Sequence, residues 1–430
     1  MFIPIFVFPN KKFLFLVNKY FAKIIKVKNQ KGVFFILITV LIDVIGIGII
    51  IPIMPSLYQE LTGGSVSEAS QYSAYLVFLY ALMQFIFSPI IGGLSDQFGR
   101  RPVLLFSLFA FGLDYVFLAL APNIVWLFVG RTIAGIAGAS FSTANAYIAD
   151  ITEPEKRAQS FGMIGAAFGI GFIIGPSLGG ILGEYGNRIP FWVSAGLTLL
   201  NWLYGYFILP ESLKPENRRK FDFKRANPIG SLMNLKKFPY IFALVLSLFL
   251  VNIARFATEG TWSFYTIEKF GWTKMEVGLS LGFVGLMVAI VQGGLIRVII
   301  PKFGQEKSLY YGLAINAIGQ LGFAFASHSW MMYAIMVPFA FGGLAGPSFQ
   351  GIISSHVAVN EQGELQGGLT SLMSVATIIG QPLMLGLFRH FTRPDTSVYF
   401  PGAPFLLACV LTIISLLFTI RTINKEKIKV

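Results

Sequence analysis

Five charged residues fall inside stretches that are otherwise apolar: Asp43, Asp114, Arg131, Arg255 and Glu259. A charge is costly in hydrocarbon, so an intramembrane charge is read first as functional. The chemistry these residues support is reversible proton binding. Low dielectric favours the protonated form of a carboxylic acid, a nearby guanidinium favours the ionised form, and a substrate or a conformational change can tip the balance. Asp43 lies in a stretch loosened by Gly46, Gly48 and Pro52. It is the expected proton- or substrate-linked carboxylate, with Arg131 as its electrostatic controller and Asp114 in second place. Asp114 and Arg131 stand equally far from the Pro122-Asn123 turn, at a common depth of about 12–13 Å at a rise of about 1.5 Å per residue. The other reading of Asp114 and Arg131 is a fixed structural ion pair. Arg255 and Glu259 are four apart and share a helical face. They form either a self-neutralising pair or, with Trp262 close by, part of a cavity lining. The expected cavity residues are Gln84, Asn145, Asn252, Arg255, Trp262, Asn316, Gln320 and Gln350. Some of these amides are expected to serve as glue between helices instead.

The elements that position these residues follow from composition. Of 430 residues, 55% are hydrophobic and 12% charged, with mean hydropathy +0.70. A soluble chain carries about 25% charged residues, so a water-soluble globule is excluded and a multi-pass, all-α membrane protein remains. Spanning helices need about 20 apolar residues. Runs of that kind centre on 33–57, 72–94, 103–121, 124–149, 159–184, 190–209, 240–267, 275–300, 308–327, 330–358, 364–390 and 401–420, giving twelve spans. The polar stretch 210–238 separates six from six. The expected organisation is therefore a basic, aromatic segment 1–32, bundles at 33–209 and 239–420, the linker 210–238 and a basic tail 421–430. A faint repeat supports duplicated halves, since Gln97-Phe98-Gly99 matches Lys302-Phe303-Gly304. Residues 1–32 lack the small-residue cleavage site of a signal peptide. They read either as a surface-lying amphipathic anchor or as an upstream extension of the reading frame.

The net charge of +13 raises nucleic acid as a partner, but its distribution excludes that reading. With an even number of spans, 26 of the 33 Lys and Arg fall on the face shared by the termini and the linker. Lys/Arg excess marks the cytoplasmic face, so both termini and the linker are expected there, in contact with anionic lipid. The single Cys409 and the isolated His328, His356 and His390 leave no metal motif, and no cofactor is expected. No phosphate-binding Gly-Lys-Ser/Thr loop or nucleophile elbow is present, which argues against an ATP-driven pump and an enzyme.

Three motifs carry a resemblance. The loop Gly92-Gly93-Leu94-Ser95-Asp96-Gln97-Phe98-Gly99-Arg100-Arg101-Pro102 joins an acidic residue, a Gly turn and two arginines. Asp96 is expected to accept from the N-terminal amides of the next helix, while Arg100 and Arg101 pair with it, with a neighbouring helix end or with lipid phosphate. Gly162, Gly171, Gly175-Pro176 and Gly179-Gly180 include a four-residue spacing that, with Gly183, gives a stripe almost free of side chains for close helix approach. Pro176 is expected to bend that helix. Arg131 sits in Gly130-Arg131-Thr132-Ile133-Ala134-Gly135. These resemble, in order, the signature loop, the antiporter motif and the buried-arginine motif of the major facilitator superfamily. Leu41-Ile42-Asp43-Val44-Ile45-Gly46-Ile47-Gly48, Pro210-Glu211-Ser212-Leu213 and Asn360-Glu361-Gln362-Gly363-Glu364-Leu365-Gln366-Gly367 are similar to its tetracycline/proton antiporter branch.

The resemblance implies the major facilitator fold, with twelve transmembrane helices in two six-helix bundles around a central cavity. It implies alternating access, proton-coupled efflux of amphipathic drugs, a bacterial inner membrane and a monomer exchanging small molecules for protons. In the conformational cycle, Gly92, Asp96, Gly99, Arg100 and Arg101 would act at the signature loop, and the glycine helix would close one side against leak. Where tetracycline exporters carry a histidine in the eighth span and an aspartate in the ninth, this chain has Val288 and Asn316. Coupling then falls to the N-terminal half or to Glu259. A metabolite carrier, for a siderophore or a nucleoside, is the alternative on the same scaffold. A non-transporting sensor would be expected to carry a soluble domain.

Overall fold

The computed structural model describes residues 30–138, 141–151, 157–218, 220–221, 230, 239–356 and 362–429. The expectations for the segment before Gln30, for most of the linker and for Asn360-Glu361 lie outside the described residues, as do the side chains of Asn145 and Gly162. Sixteen α-helices are described: α1 Gln30–Ile50, α2 Met54–Thr62, α3 Val66–Phe98, α4 Arg100–Leu120, α5 Ile124–Gly138, α6 Phe141–Ile151, α7 Arg157–Glu184, α8 Ile189–Ile208, α9 Pro239–Phe270, α10 Lys274–Ile290, α11 Ile296–Phe303, α12 Gln305–Phe325, α13 Ser329–Phe339, α14 Ala345–Ser355, α15 Gln362–Thr392 and α16 Ala403–Lys429. They group into twelve rods. Four rods are made of two helices, among them α1–α2, α10–α11 and α13–α14, which are joined by irregular turns.

Those turns follow from local sequence. Pro52 and Pro55 remove backbone donors, and a 3-10 turn Ile51–Ile53 joins α1 to α2. A π-helical turn Val291–Leu295 carries Gly293-Gly294 between α10 and α11, and a 3-10 turn Ala340–Leu344 follows Pro338 between α13 and α14. The latter two pack against each other. Eight stretches among the described residues are long and apolar enough to cross a membrane, fewer than the twelve rods. The remaining rods are interrupted or carry polar residues, such as Asn316 and Gln320 on α12.

The expected repeat has a backbone counterpart. Gly99 (φ 104°, ψ 160°) ends α3 and precedes α4, and Gly304 (φ 79°, ψ 163°) ends α11 and precedes α12. Positive φ suits Gly, so the same turn occurs once in each half. The N-terminal half packs α1 on α7 and α8, and α4 on α5 and α8. In the C-terminal half, α9 packs on α15 and α16, and α12 packs on α14 and α16. The halves meet through α7 on α10 and α3 on α15.

These contacts concentrate on the face opposite the linker, called here the far face. There Ser67 Oγ donates to the Arg389 carbonyl (3.2 Å), and Thr392 Oγ1 donates to Ser67 Oγ (2.9 Å). Lys274 Nζ donates to the Gly183 carbonyl (3.0 Å), and Glu184 accepts from the Met275 amide (3.2 Å). Nearer mid-depth, Ser263 Oγ reaches the Ile51 carbonyl (3.4 Å). Buried positions on α3 are dense from Ser67 to Ala81, and after that only Ser95 is buried. The halves are thus closed together at the far face and part toward the linker face.

Candidate functional site

The ion pair near mid-membrane is built by α4 and α5. Arg131 Nη2 bonds Asp114 Oδ2, with Asp114 1% exposed. The structure therefore brings together the two residues placed at equal depth by the sequence. The second acid oxygen, Asp114 Oδ1, and Arg131 Nε have no hydrogen-bond partner. Gly130 leaves room for that oxygen, since a Cβ there would stand 2.6 Å from it. The pair is enclosed by tyrosines that the sequence reading did not single out. The Tyr80 ring lies 6.0 Å from the Arg131 guanidinium, Tyr58 is buried on the same side, and Tyr115 packs on Gly46. A run of aromatic residues in spans carries no sign of which ones converge, so only the fold reveals this group.

Asp43 stands apart from that pair. It is partly buried in a cleft between α1, α4 and α6, together with Phe35, Thr39, Val40, Leu104, Leu108 and Phe111. Among the described residues it has no hydrogen bond or ion pair. Arg131, the expected controller of Asp43, is engaged by Asp114 instead.

The signature loop is fastened differently from the expectation. The N-terminal amides of α4 are capped by Glu211, which accepts from Arg100 N (2.9 Å) and Arg101 N (3.2 Å), and not by Asp96. The reason is local: Gly99 precedes α4 and has no side chain, and Glu211 lies just past the end of α8 beside it. Asp96 instead pairs with Arg100 Nη1 (2.6 Å), whose Nε also reaches Asp150 (3.2 Å). Arg101 Nε and Nη2 donate to the Leu209 and Tyr206 carbonyls at the C-terminus of α8 (2.8 and 2.7 Å). A cation on terminal carbonyls is favoured by the helix dipole. Gly92 lies one turn before Asp96, where its carbonyl accepts from Ser95 Oγ (2.7 Å). The loop thus ties α3, α4, α6 and α8 together at the linker face.

The glycines of α7 serve two neighbours. Gly171, Gly175, Gly179 and Gly183 face α1 and the turn after it, meeting Val44, Gly48, Ile49 and Ile53 respectively. Pro176, Ser177 and Gly180 face Gly278, Gly282 and Lys274 of α10, across the boundary between the halves. The helix runs unbroken through Pro176.

The cavity candidates separate. The α9 face that carries Ser263 to Ile51 carries Glu259 and Arg255 one and two turns nearer the linker face, where the halves part. Arg255 Nε pairs with Glu259 Oε1 at 3.2 Å, both side chains nearly half exposed. Gln84 spans α3 and α5, donating to the Gly138 carbonyl (3.1 Å). Trp262 does not line the opening: it is 3% exposed, donates to Ser280 Oγ (2.9 Å) and packs edge-on against Phe323. Gln320 is likewise core, 1% exposed, and Asn252 spends its amide on the Leu248 carbonyl (2.8 Å). Asn316 packs against Gly342, and Gln350 is partly buried on α14. Among the described residues no three His, Cys, Asp or Glu side chains gather as metal ligands.

The sequence profile described as the Major Facilitator Superfamily matches residues 36–380 and 298–429. The chain belongs to the major facilitator superfamily. A tetracycline resistance protein, class C, from Escherichia coli is 38% identical over 384 residues, covering 89% of this chain and 96% of the relative. Multidrug resistance protein 2 from Bacillus subtilis (strain 168) is 29% identical, covering 93% and 97%. Among solved structures, a human organic anion transporter superposes with TM-score 0.70 at 21% identity, covering 91% of this chain and 99% of the other. A bacterial homologue of the human lysosomal transporter Spinster, inward-facing and occupied, gives TM-score 0.73 at 14% identity, covering 91% and 96%. The twelve rods and the two packed halves are the architecture of this superfamily, and the protein is a multi-pass membrane transporter rather than an enzyme.

Proposed function

We propose that this transporter exports amphipathic small molecules in exchange for protons, with Asp43 as the proton-carrying carboxylate. The observation that carries the reading is the isolation of Asp43. The Asp114–Arg131 and Arg255–Glu259 charges neutralise one another, whereas Asp43 has no partner among the described residues. An unpaired acid in an apolar cleft can take up and release a proton, which a fixed ion pair resists. Efflux as the direction rests on the similarity to tetracycline and multidrug resistance proteins over most of the chain. The protein acts as a monomer in the bacterial inner membrane, with termini and linker on the cytoplasmic side. In that orientation the closed far face is the outer one, and the opening lined by Arg255 and Glu259 admits substrate from the cytoplasm.

Val288 and Asn316, standing where tetracycline exporters carry their titrating histidine and aspartate, favour a second substrate reading, a metabolite such as a siderophore or a nucleoside. The test uses proteoliposomes with ethidium and tetracycline as probes. Ethidium accumulation driven by an imposed pH gradient, and lost in Asp43→Asn, supports proton antiport. Transport that persists without a pH gradient and in Asp43→Asn refutes it.

A further inference from the structure

The antiparallel pair α1–α8 has a register fixed at three points. Ser194 Oγ donates to the Gly46 carbonyl at 3.2 Å. Thr39 Oγ1 donates to Asn201 Oδ1 at 3.4 Å. Gly205 admits the Phe35 ring, whose Cζ would lie 2.6 Å from a Cβ there. Between the first two points the same register sets Thr198 opposite Ile42 and Asp43. Residues 39, 43 and 46 lie on one face of α1, and 194, 198 and 201 on one face of α8. Thr39 and Gly46 meet Asn201 and Ser194 across the pair, and Asp43 stands between them on the edge of that face that opens on the cleft with α4 and α6.

On α8 that face is polar and closed to solvent. Ser194, Thr198 and Asn201 are 0%, 1% and 2% exposed. Ser194 spends its hydroxyl on Gly46, but Thr198 Oγ1 and Asn201 Nδ2 have no hydrogen-bond partner. Buried polar groups are ordinarily paired, so two unpaired donors on one face call for an explanation. Within a turn of them stands Asp43, an acceptor that is itself unpaired among the described residues.

We propose that Thr198 and Asn201 are the donors that receive the Asp43 carboxylate once it has released its proton, so that α8 is the positioning element for proton exchange. This rests on the reading of Asp43 as proton carrier. A carboxylate accepting hydrogen bonds is held in its charged form, and here the donors are neutral and lie inside the N-terminal half. The substrate opening is therefore left to Arg255 and Glu259. The ionisable groups that face this region are Tyr115 and Asp114 from α4, Tyr80 from α3 and Arg131 from α5. Arg131 is held by Asp114. Tyr147 of α6 is turned away to the Pro210 carbonyl (3.0 Å), and Tyr204 of α8 stacks near Phe35 at the linker end. On α7, the described side chains from Ala167 onward carry no charge before Glu184 at the far face. Thr198 and Asn201 are thus the unpaired donors that α8 offers to a deprotonated Asp43, beside the tyrosine hydroxyls of α3 and α4.

The test compares Thr198→Val, Asn201→Leu and their combination, with Thr198→Ser as the conservative variant, in proteoliposomes loaded for ethidium transport. Two readouts are taken: the pH dependence of the initial rate, and the infrared carboxylate stretch that disappears in Asp43→Asn. Loss of the donors is expected to move the pH–rate profile alkaline by about one unit and to shift the carboxylate band, with Thr198→Ser keeping both at the parental position. Unchanged profile and band in Thr198→Val and Asn201→Leu overturn the role of α8 alone, as does a Thr198→Ser profile that follows Thr198→Val. Transport unaffected by Asp43→Asn instead overturns the assignment of Asp43, and with it the proposal. If the double variant does not assemble, the single Thr198→Val, which keeps the side-chain shape, decides.

Discussion

Substituting Gly180 with alanine targets the closed far face. A Cβ at Gly180 would stand 2.5 Å from the Lys274 carbonyl oxygen, 3.0 Å from Met275 Cα and 3.1 Å from Gly278 Cα. Ordinary carbon contacts lie at about 3.5–4 Å, so α7 and α10 must separate by about 0.5–1 Å. The obstacle is backbone, which cannot rotate out of the way as a side chain could. Overpacking of this kind costs about 1–3 kcal/mol, a shift of about 5- to 150-fold in the closed-to-open equilibrium at the far face. The gain in helix propensity from Gly to Ala acts on α7 whether the halves are open or closed, so it does not offset the shift. A Ser67→Cys/Thr392→Cys pair reports closure, because the parent hydroxyls are 2.9 Å apart. In a Cys409→Ser background, copper-phenanthroline cross-linking at short times should fall about threefold or more for Gly180→Ala from a half-closed parent. Gly169→Ala on the same helix, with nothing within 4 Å of its Cβ, should cross-link like the parent. Equal cross-linking in Gly180→Ala and Gly169→Ala would refute the reasoning, since it would mean that closure does not depend on the backbone contact.

Four further outcomes follow from the geometry. Glu211→Ala strips the acceptor from Arg100, Arg101, Ser212 and Leu213 amides; it should lower stability by about 1–2 kcal/mol, read as a lower melting temperature in detergent. Arg131→Ala leaves Asp114 buried and unpaired and should cost about 3–5 kcal/mol, whereas Asp114→Asn with Arg131→Gln should cost clearly less than the sum of the two single changes; a double-mutant cycle on thermal unfolding checks this. Trp262→Phe removes the hydrogen bond to Ser280 and should cost about 1 kcal/mol, with the ethidium KM unchanged because the ring lies in the core. Glu259→Gln, on the opening, should change that KM several-fold.

What could be read before folding divides along physical lines. Helix existence and depth are properties of a single segment, so the twelve rods and the matching depth of Asp114 and Arg131 were visible in apolar runs and residue counting. The four-residue glycine spacing likewise fixes one face of α7. What that face meets depends on lateral packing, and the sequence did not show that two glycine faces serve α1 and α10 separately. The same limit explains Asp96 and Glu211. Both carboxylates stand near the α4 N-terminus, and only the fold brings the more distant one, 111 residues along the chain from Arg100, onto its amides. Trp262 looked like a cavity residue because it follows Glu259 by three positions. A rotation of about 60° around α9 separates a core position from one on the opening.

The two-sided glycine helix has a consequence for how the protein responds to its surroundings. The middle of the seam between α7 and α10 is carried by Pro176, Gly180, Gly278 and Gly282, with ionisable groups such as Lys274 and Glu184 only at its rim. Contacts between backbone atoms carry no titratable charge and are not screened by ions. Acidifying the medium or raising its salt therefore has little purchase on the seam itself. The far face behaves as a passive barrier, and sensitivity of the cycle to pH enters through ionisable side chains away from this seam.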